Sequence, residues 1–570
     1  MNERLTLLRL QAFCVVGVTA LTLIACGDSK QAATTSAALP SPSAGQVAPA
    51  TATPKVSFYA ASRFAEQASF GPTPALVAEL QAKGFEKWID EQLALPPSLL
   101  DESVIYRPAA GKLDDFLQGW LFNGVASTFV AAPDQLRTRL SWSMSQFVVV
   151  SFLKIDTRGI GYWFNLLQRH ALDPYTEFLY RVSIAPSMGA YLDNAQNRPK
   201  SAECSHCAPN ENFARELMQL FTIGVVRLKP DGTLERDARG RLIETYTQRD
   251  VDELARALTG WQFNPVPAGR PDYDWRNDSE PMTPSTWPPE RDSGRKQVLG
   301  RVFPAGQDAP ADLRDALDLL TSHGNAAPFI ALRLIQHLVK SNPTPGYVAR
   351  VAAVFRDNGR GVRGDMKALV KTVLLDAEAR AGDDPARVAA DDGKLREPLL
   401  HFSALHRALG CQRATRPVGN FASLPTMQYP LQAQSVFSYY APTDRTPGSN
   451  LLAPEERLLG ATELARRFGF GAANNHVPNL PSENPETAFQ RAGCDLAPMM
   501  QAWNAGPAAY AAYLGKLLFR GQSPPQLERM VRRLAVEANW RYSSAARSPY
   551  DRPLAILSFV SGSPFYGAIL

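Results

Sequence analysis

Residues 208–225 read APNENFARELMQLFTIGV, and their periodicity decides the fold class. Phe213, Leu217, Leu220 and Phe221 recur at helical spacing on one face, Asn210 stands where an N-cap is needed, and Gly224 closes the run. Glu211 falls in the positively polarised first turn. An amphipathic helix with its own start and stop is therefore expected, and the same grammar repeats on both sides of it.

Upstream, Thr73-Pro74 is an N-cap followed by proline at the first helical position; the run through Leu76, Val77 and Leu80 then stops at Gly84. Phe85, Trp88, Ile89 and Leu93 line one side of a helix that must end before Pro96-Pro97. Downstream, 329–339 and 347–355 are apolar at helical spacing and broken by Asn342-Pro343-Thr344-Pro345, while Asp365 caps a helix carrying Met366, Leu369, Val370 and Val373. Strand signals are few. The best lies between Val225 and Tyr246, where Pro230-Asp231-Gly232 and Asp237 to Arg241 read as turns. Residues 265–300, rich in proline, tryptophan and charge without periodicity, suggest a long surface excursion. The fold class is mainly α: a large multi-helix globular body over 56–570 with one short β-hairpin excursion, long enough for two packed subdomains.

With 45% hydrophobic and 20% charged residues and a formal charge of +5 over 570 residues, the composition is that of a globular protein and makes no case for nucleic acid. There is no His-Glu-x-x-His, no Gly-x-Ser-x-Gly elbow and no Walker-type loop. His170, His323, His337, His401 and His406 are scattered and read as packing or surface histidines, and no metal or cofactor is expected. Arg356 to Gly364 reads as a solvated glycine-rich turn.

At the N-terminus, Arg4 and Arg9 precede an apolar run from Ala12 to Ile24, too short to span a bilayer comfortably and suited to a signal peptide. It ends in Leu23-Ile24-Ala25-Cys26, which resembles the lipobox of bacterial lipoproteins. That resemblance implies a signal over 1–25, lipidation of Cys26 and anchoring to a membrane without spanning it. Gly27, rather than an aspartate, follows the cysteine, which in resembling lipoproteins favours the outer over the inner membrane. Residues 29–54 have no aromatic and almost no large apolar side chain, and so form a disordered tether with a reach of roughly 25 to 30 Å.

Four cysteines remain in the body: Cys204, Cys207, Cys411 and Cys494. An even number in an oxidising compartment favours two disulfides, with three connectivities open. Cys204-Ser205-His206-Cys207 also offers a redox pair or three zinc ligands, although no fourth ligand stands nearby in the sequence.

YLDNAQNRPK from Tyr191, the 208–225 stretch and YTQRDVDELARALTGWQF to Phe263 together resemble the bacterial family called domain of unknown function 1800. ASRFAEQASFGPTP (61–74), 341–380, LREPLL (395–400), SVFSYYAP (435–442) and a C-terminal SPFY agree with it in order. The resemblance implies a mainly α-helical exported protein, often encoded beside a second exported family, domain of unknown function 1501, a member of which is the expected partner. It implies no particular chemistry. Where many relatives carry Trp-x-Asn-His-Phe, this chain has Trp142-Ser143-Met144-Ser145-Gln146-Phe147. The Cys204 to Cys207 segment looks like an insertion, and the 226–245 hairpin is longer than the family needs.

The polar candidates gather around the central helix. Glu211 and Arg215, like Asn212 and Glu216, stand four apart and so can pair on a helix surface. Asp193, Asn194, Asn197 and Arg198 of the preceding segment can join them, making a polar pocket where Glu211 or Glu216, with Arg215, acts as general base, or where a carboxylate binds calcium. The same groups can instead cap and cross-link helices, since buried charges must be paired. The sequence thus points to a cell-envelope lipoprotein that binds a partner protein or exported polymer. The alternative is an envelope hydrolase using a carboxylate of the Asn210 to Glu216 motif.

Overall fold

A computed structural model describes residues 56–106, 113–266, 276–413, 428–468, 489–490, 492–536 and 549–570, with side chains from 117 in the second span. The signal, Cys26 and the tether lie outside the described residues. Residues 54–570 form one compact unit.

The unit is built from helices whose ends lie where local chemistry places them. The Thr73 hydroxyl accepts the Leu76 N–H at the start of Pro74–Lys83, and Gly84, at φ +79°, ends it. Phe85–Ala94 follows, burying Trp88 and Ile89 and stacking Phe85 on Phe64 of Phe58–Ala68 at 4.3 Å. Asp365 caps Met366–Leu375 through the Lys367 and Ala368 N–H groups, and Met366, Leu369, Val370 and Val373 are all buried. Ala326–Leu338 and Pro345–Arg356 are separate helices on either side of the predicted break.

The hydrophobic core falls into two clusters. One runs from Ala61 to Leu400 along the chain and takes in Leu431, Ala433 and Ile569; the other joins Ala126, Val130 and Phe402 to the helices Ala497–Asn504, Pro507–Phe519, Pro525–Val536 and Asp551–Gly562. The C-terminal strand Ala568–Ile569 pairs antiparallel with Lys394–Leu395, returning the chain end to the first cluster.

The hairpin segment turns at Gly232 and Gly240, both at positive φ, but its pairing is limited to isolated antiparallel bridges: Val226 with Glu244, Leu228 with Leu234, Arg236 with Leu242. Regular strand pairing occurs elsewhere, among the described residues in three two-stranded ladders that include Trp261–Gln262 with Thr283–Pro284 and Lys296–Val298 with Arg301–Phe303. The expectation of a surface excursion over 265–300 needs correction. Arg276, Asn277, Asp278, Met282, Lys296 and Val298 are buried, and Lys296 donates to the buried Asp312 carboxylate at 2.7 Å. Polar composition reads as surface only while the partners that let a charge be buried are unknown. Among the described residues no helix is long and apolar enough to cross a membrane.

Candidate functional site

The central motif begins with the Asn197 side chain holding the Asn210 backbone. The Oδ1 of buried Asn197 accepts the Asn210 N–H at 2.7 Å, and the Asn210 Oδ1 accepts the Asn212 N–H at 2.9 Å. The helix is Asn212–Gln219, so the cap position falls on Glu211, one residue after the expected Asn210, and Glu211 is not in the first turn. The turn before it is equally fixed. Asp193 and Gln196 adopt left-handed backbone at φ +58° and +60°, and the Asn194 and Ala195 N–H groups both donate to the Gly189 carbonyl. The Gln196 N–H reaches the Trp261 carbonyl at 2.7 Å, and the Gly260 N–H the Asn197 carbonyl at 2.9 Å. Three segments distant in sequence are thereby stitched through backbone groups, with Asn194 and Asn197 buried among them.

The charges divide into two surface sets. Lys154 donates to the Asp193 carboxylate at 2.6 Å and to the Tyr191 carbonyl at 2.7 Å, while the second Asp193 oxygen accepts from Asn212 at 3.1 Å. Arg215 bonds Glu211 at 2.6 Å and Gln248 at 3.0 Å, and Gln248 closes the triangle onto Glu211 at 2.8 Å. The expected Glu211–Arg215 pair is present. The Asn212–Glu216 pair is not, because Asn212 turns to Asp193, and Arg198 faces Glu290 at 3.7 Å instead of Glu216.

Glu216 stands apart from both sets. It is 7% exposed, and its Oε2 has no hydrogen-bonding partner among the described residues. Burial pushes its carboxyl above the usual range, with the Arg215 charge pulling the other way. The Tyr191 hydroxyl nearby is pushed up to about 12 by burial first and by the Glu216 charge second. The motif thus presents paired charges at the surface and one solitary carboxyl beneath them.

Cys204 and Cys207 lie at bonded distance, 2.03 Å between sulfurs, and so do Cys411 and Cys494 at 1.98 Å. The local arrangement is the one present among the three connectivities. Cys204, His206 and Cys207 form the one group among the described residues close enough to share a metal ion, and both sulfurs are engaged in their bridge.

Sequence reading missed a second concentration of polar groups, deep in the body. Lys394, fully buried, bonds Glu397 at 3.1 Å and Glu455 at 3.0 Å, and Gln428 donates to the other Glu397 oxygen at 2.8 Å. Arg139 and Lys394 both donate to the His337 carbonyl, and the Tyr440 hydroxyl donates to Gln146 at 3.1 Å. Burial alone would raise both carboxyls. Around Glu397 the charges of Lys394, Arg139 and His337 win and bring it down to about 2, whereas Glu455 stays raised despite Lys394. The sequence signals were the LREP and SYYAP stretches and the departing Trp142 to Phe147 segment, which supply Glu397, Tyr440 and Gln146. His337 and His406 are packing residues, held by burial down to about 3 and about 4, whereas partly exposed His170 pairs with Asp173 at 2.7 Å. Neither ring nitrogen of buried His401 has a hydrogen-bonding partner among the described residues, so it packs without being satisfied there.

A family model described as protein of unknown function (DUF1800) matches residues 63–566. No curated protein and no solved structure matches the chain.

Proposed function

The chain belongs to the DUF1800 family, and from that premise we propose that it is a cell-envelope lipoprotein, held by a lipid on Cys26, that binds an exported partner protein through its central polar motif. One observation carries the binding reading: the exposed charges of the motif are held by partners from other segments, Lys154 to Asp193 to Asn212 and Glu211 to Arg215 to Gln248. Single exposed ion pairs of this kind stabilise a fold by only about 0 to 1 kcal/mol. A fixed array of half-exposed charges suits recognition better, because little side-chain freedom remains to be lost on binding. The lipobox and the tether over 29–54 support the envelope location, and outer membrane is the proposed site.

The proposed partner is an exported member of the domain of unknown function 1501 family. The test is co-purification of that partner with the full-length lipidated chain from solubilised membranes, using the parent and Arg215→Glu. The reading expects recovery with the parent and loss with the variant. Equal recovery would remove the motif from the interface.

A second reading, an envelope hydrolase, has one observation of its own: Glu216 is a buried carboxyl with a free oxygen and a raised pKa, the state a general acid requires. It requires release of product from labelled envelope polymer by the purified chain, abolished in Glu216→Gln.

A further inference from the structure

A cavity of about 520 Å³ opens between the helix Pro74–Lys83, the end of Leu113–Ala131 and the end of Pro398–Ala408, far in sequence from the central motif. That volume lies within the range of small-molecule sites, roughly 300 to 1,000 Å³. Leu76, Trp88, Val130, Tyr513 and Leu517 supply apolar wall, and Arg407 is the one cation among the described residues that line it.

Arg407 is only 6% exposed, and no carboxylate among the described residues pairs with it. Its Nε donates to the Gly71 carbonyl and its Nη1 to the Val130 carbonyl, each at 2.8 Å, while Nη2 makes no hydrogen bond among the described residues. The Val130 carbonyl belongs to the last turn of its helix, whose negative pole holds the guanidinium in place. Partial charges on two carbonyls are weak compensation for a full buried charge, which is ordinarily matched by an anion. Burial lowers the guanidinium to about 9, with no neighbouring charge acting to raise it.

We propose that this cavity binds an organic monocarboxylate with an apolar body, the carboxylate meeting the free Nη2 of Arg407. One free nitrogen suits a single acceptor oxygen. The remaining charged groups of the lining are acidic: Glu79, already bonded to Lys83, and exposed Asp495, which pairs with no cation among the described residues. They disfavour a second negative charge on the ligand, so a carboxylate is selected over a phosphate dianion. The wall is stapled by the Cys411–Cys494 bridge, since Cys411 lines the cavity and Asp495 follows Cys494.

The test is isothermal titration of the full-length chain in detergent with 3-phenylpropionate, 3-phenylpropyl phosphate and 3-phenylpropan-1-ol. The carboxylate should bind at least about tenfold more tightly than the alcohol, as expected of a hydrogen bond to a charged group, and more tightly than the phosphate. Arg407→Met should reduce 3-phenylpropionate to the affinity of the alcohol. Because Arg407 also ends a helix and its loss can disturb folding, Leu517→Trp provides the second arm: it keeps the charge, fills the cavity and should abolish binding. Equal affinity for acid and alcohol, preference for the phosphate, unchanged binding by Leu517→Trp, or no binding of 3-phenylpropionate by the parent would each overturn the proposal.

Discussion

Glu66 and Arg396, separated by 330 residues, meet in a fully buried ion pair at 2.8 Å. The other Glu66 oxygen accepts from Arg520 Nε at 2.9 Å, and the Arg396 guanidinium lies 4.2 Å over the Tyr566 ring. One carboxylate in the first helix therefore ties down two cations from the C-terminal third of the chain. Removing it leaves both buried without their counter-charge. Glu66→Ala should cost about 3 to 5 kcal/mol, the range for breaking a buried pair from one side. Glu211→Ala, whose pair is more than a third exposed, should cost about 1 kcal/mol or less. Denaturant unfolding of the two variants beside the parent checks the ordering.

Glu216 should behave in the opposite sense. Its folded carboxyl is raised by burial, so the native state holds the proton more tightly than the unfolded chain does. Stability then falls as pH rises from the unfolded value through the folded one, and a neutral Glu216→Gln side chain escapes that loss. The variant should melt at or above the parent temperature at neutral pH, with the gap closing in acid. A Glu216→Gln protein that melts well below the parent at pH 7 would show that the carboxylate has a partner in solution.

The two disulfides should differ in weight. The Cys411–Cys494 bridge closes 83 residues and the Cys204–Cys207 bridge only 3. Loop entropy assigns about 4 to 5 kcal/mol to the first and about 2 kcal/mol to the second. Thiol labelling of denatured, unreduced mature protein should find neither pair free, and Cys411→Ser should lower the melting temperature more than Cys204→Ser.

The lipid anchor is checked at Cys26. Cys26→Ser should accumulate as a full-length precursor without acyl label in cells fed a labelled fatty acid. Normal processing and acylation of that variant would remove the lipoprotein reading.

The features legible in the chain itself are those whose physics spans a single turn of helix. Thr73 and Asp365 act on N–H groups two or three residues away, and Glu211 reaches Arg215 across four, so spacing alone was enough to place them. The apolar faces of Asn212–Gln219 and Met366–Leu375 were determined in the same way, and with them the mainly α class. Whether a charged residue is paired, solitary or buried was decided only by tertiary structure. Lys394 finds Glu455, Lys296 finds Asp312, Arg396 finds Glu66, and Glu216 finds no hydrogen-bonding partner for its Oε2 among the described residues, although all are ordinary charged residues in the sequence. The reason is desolvation: the cost of a buried charge is set by which distant groups packing brings within about 3 Å of it, and no local pattern encodes that neighbourhood.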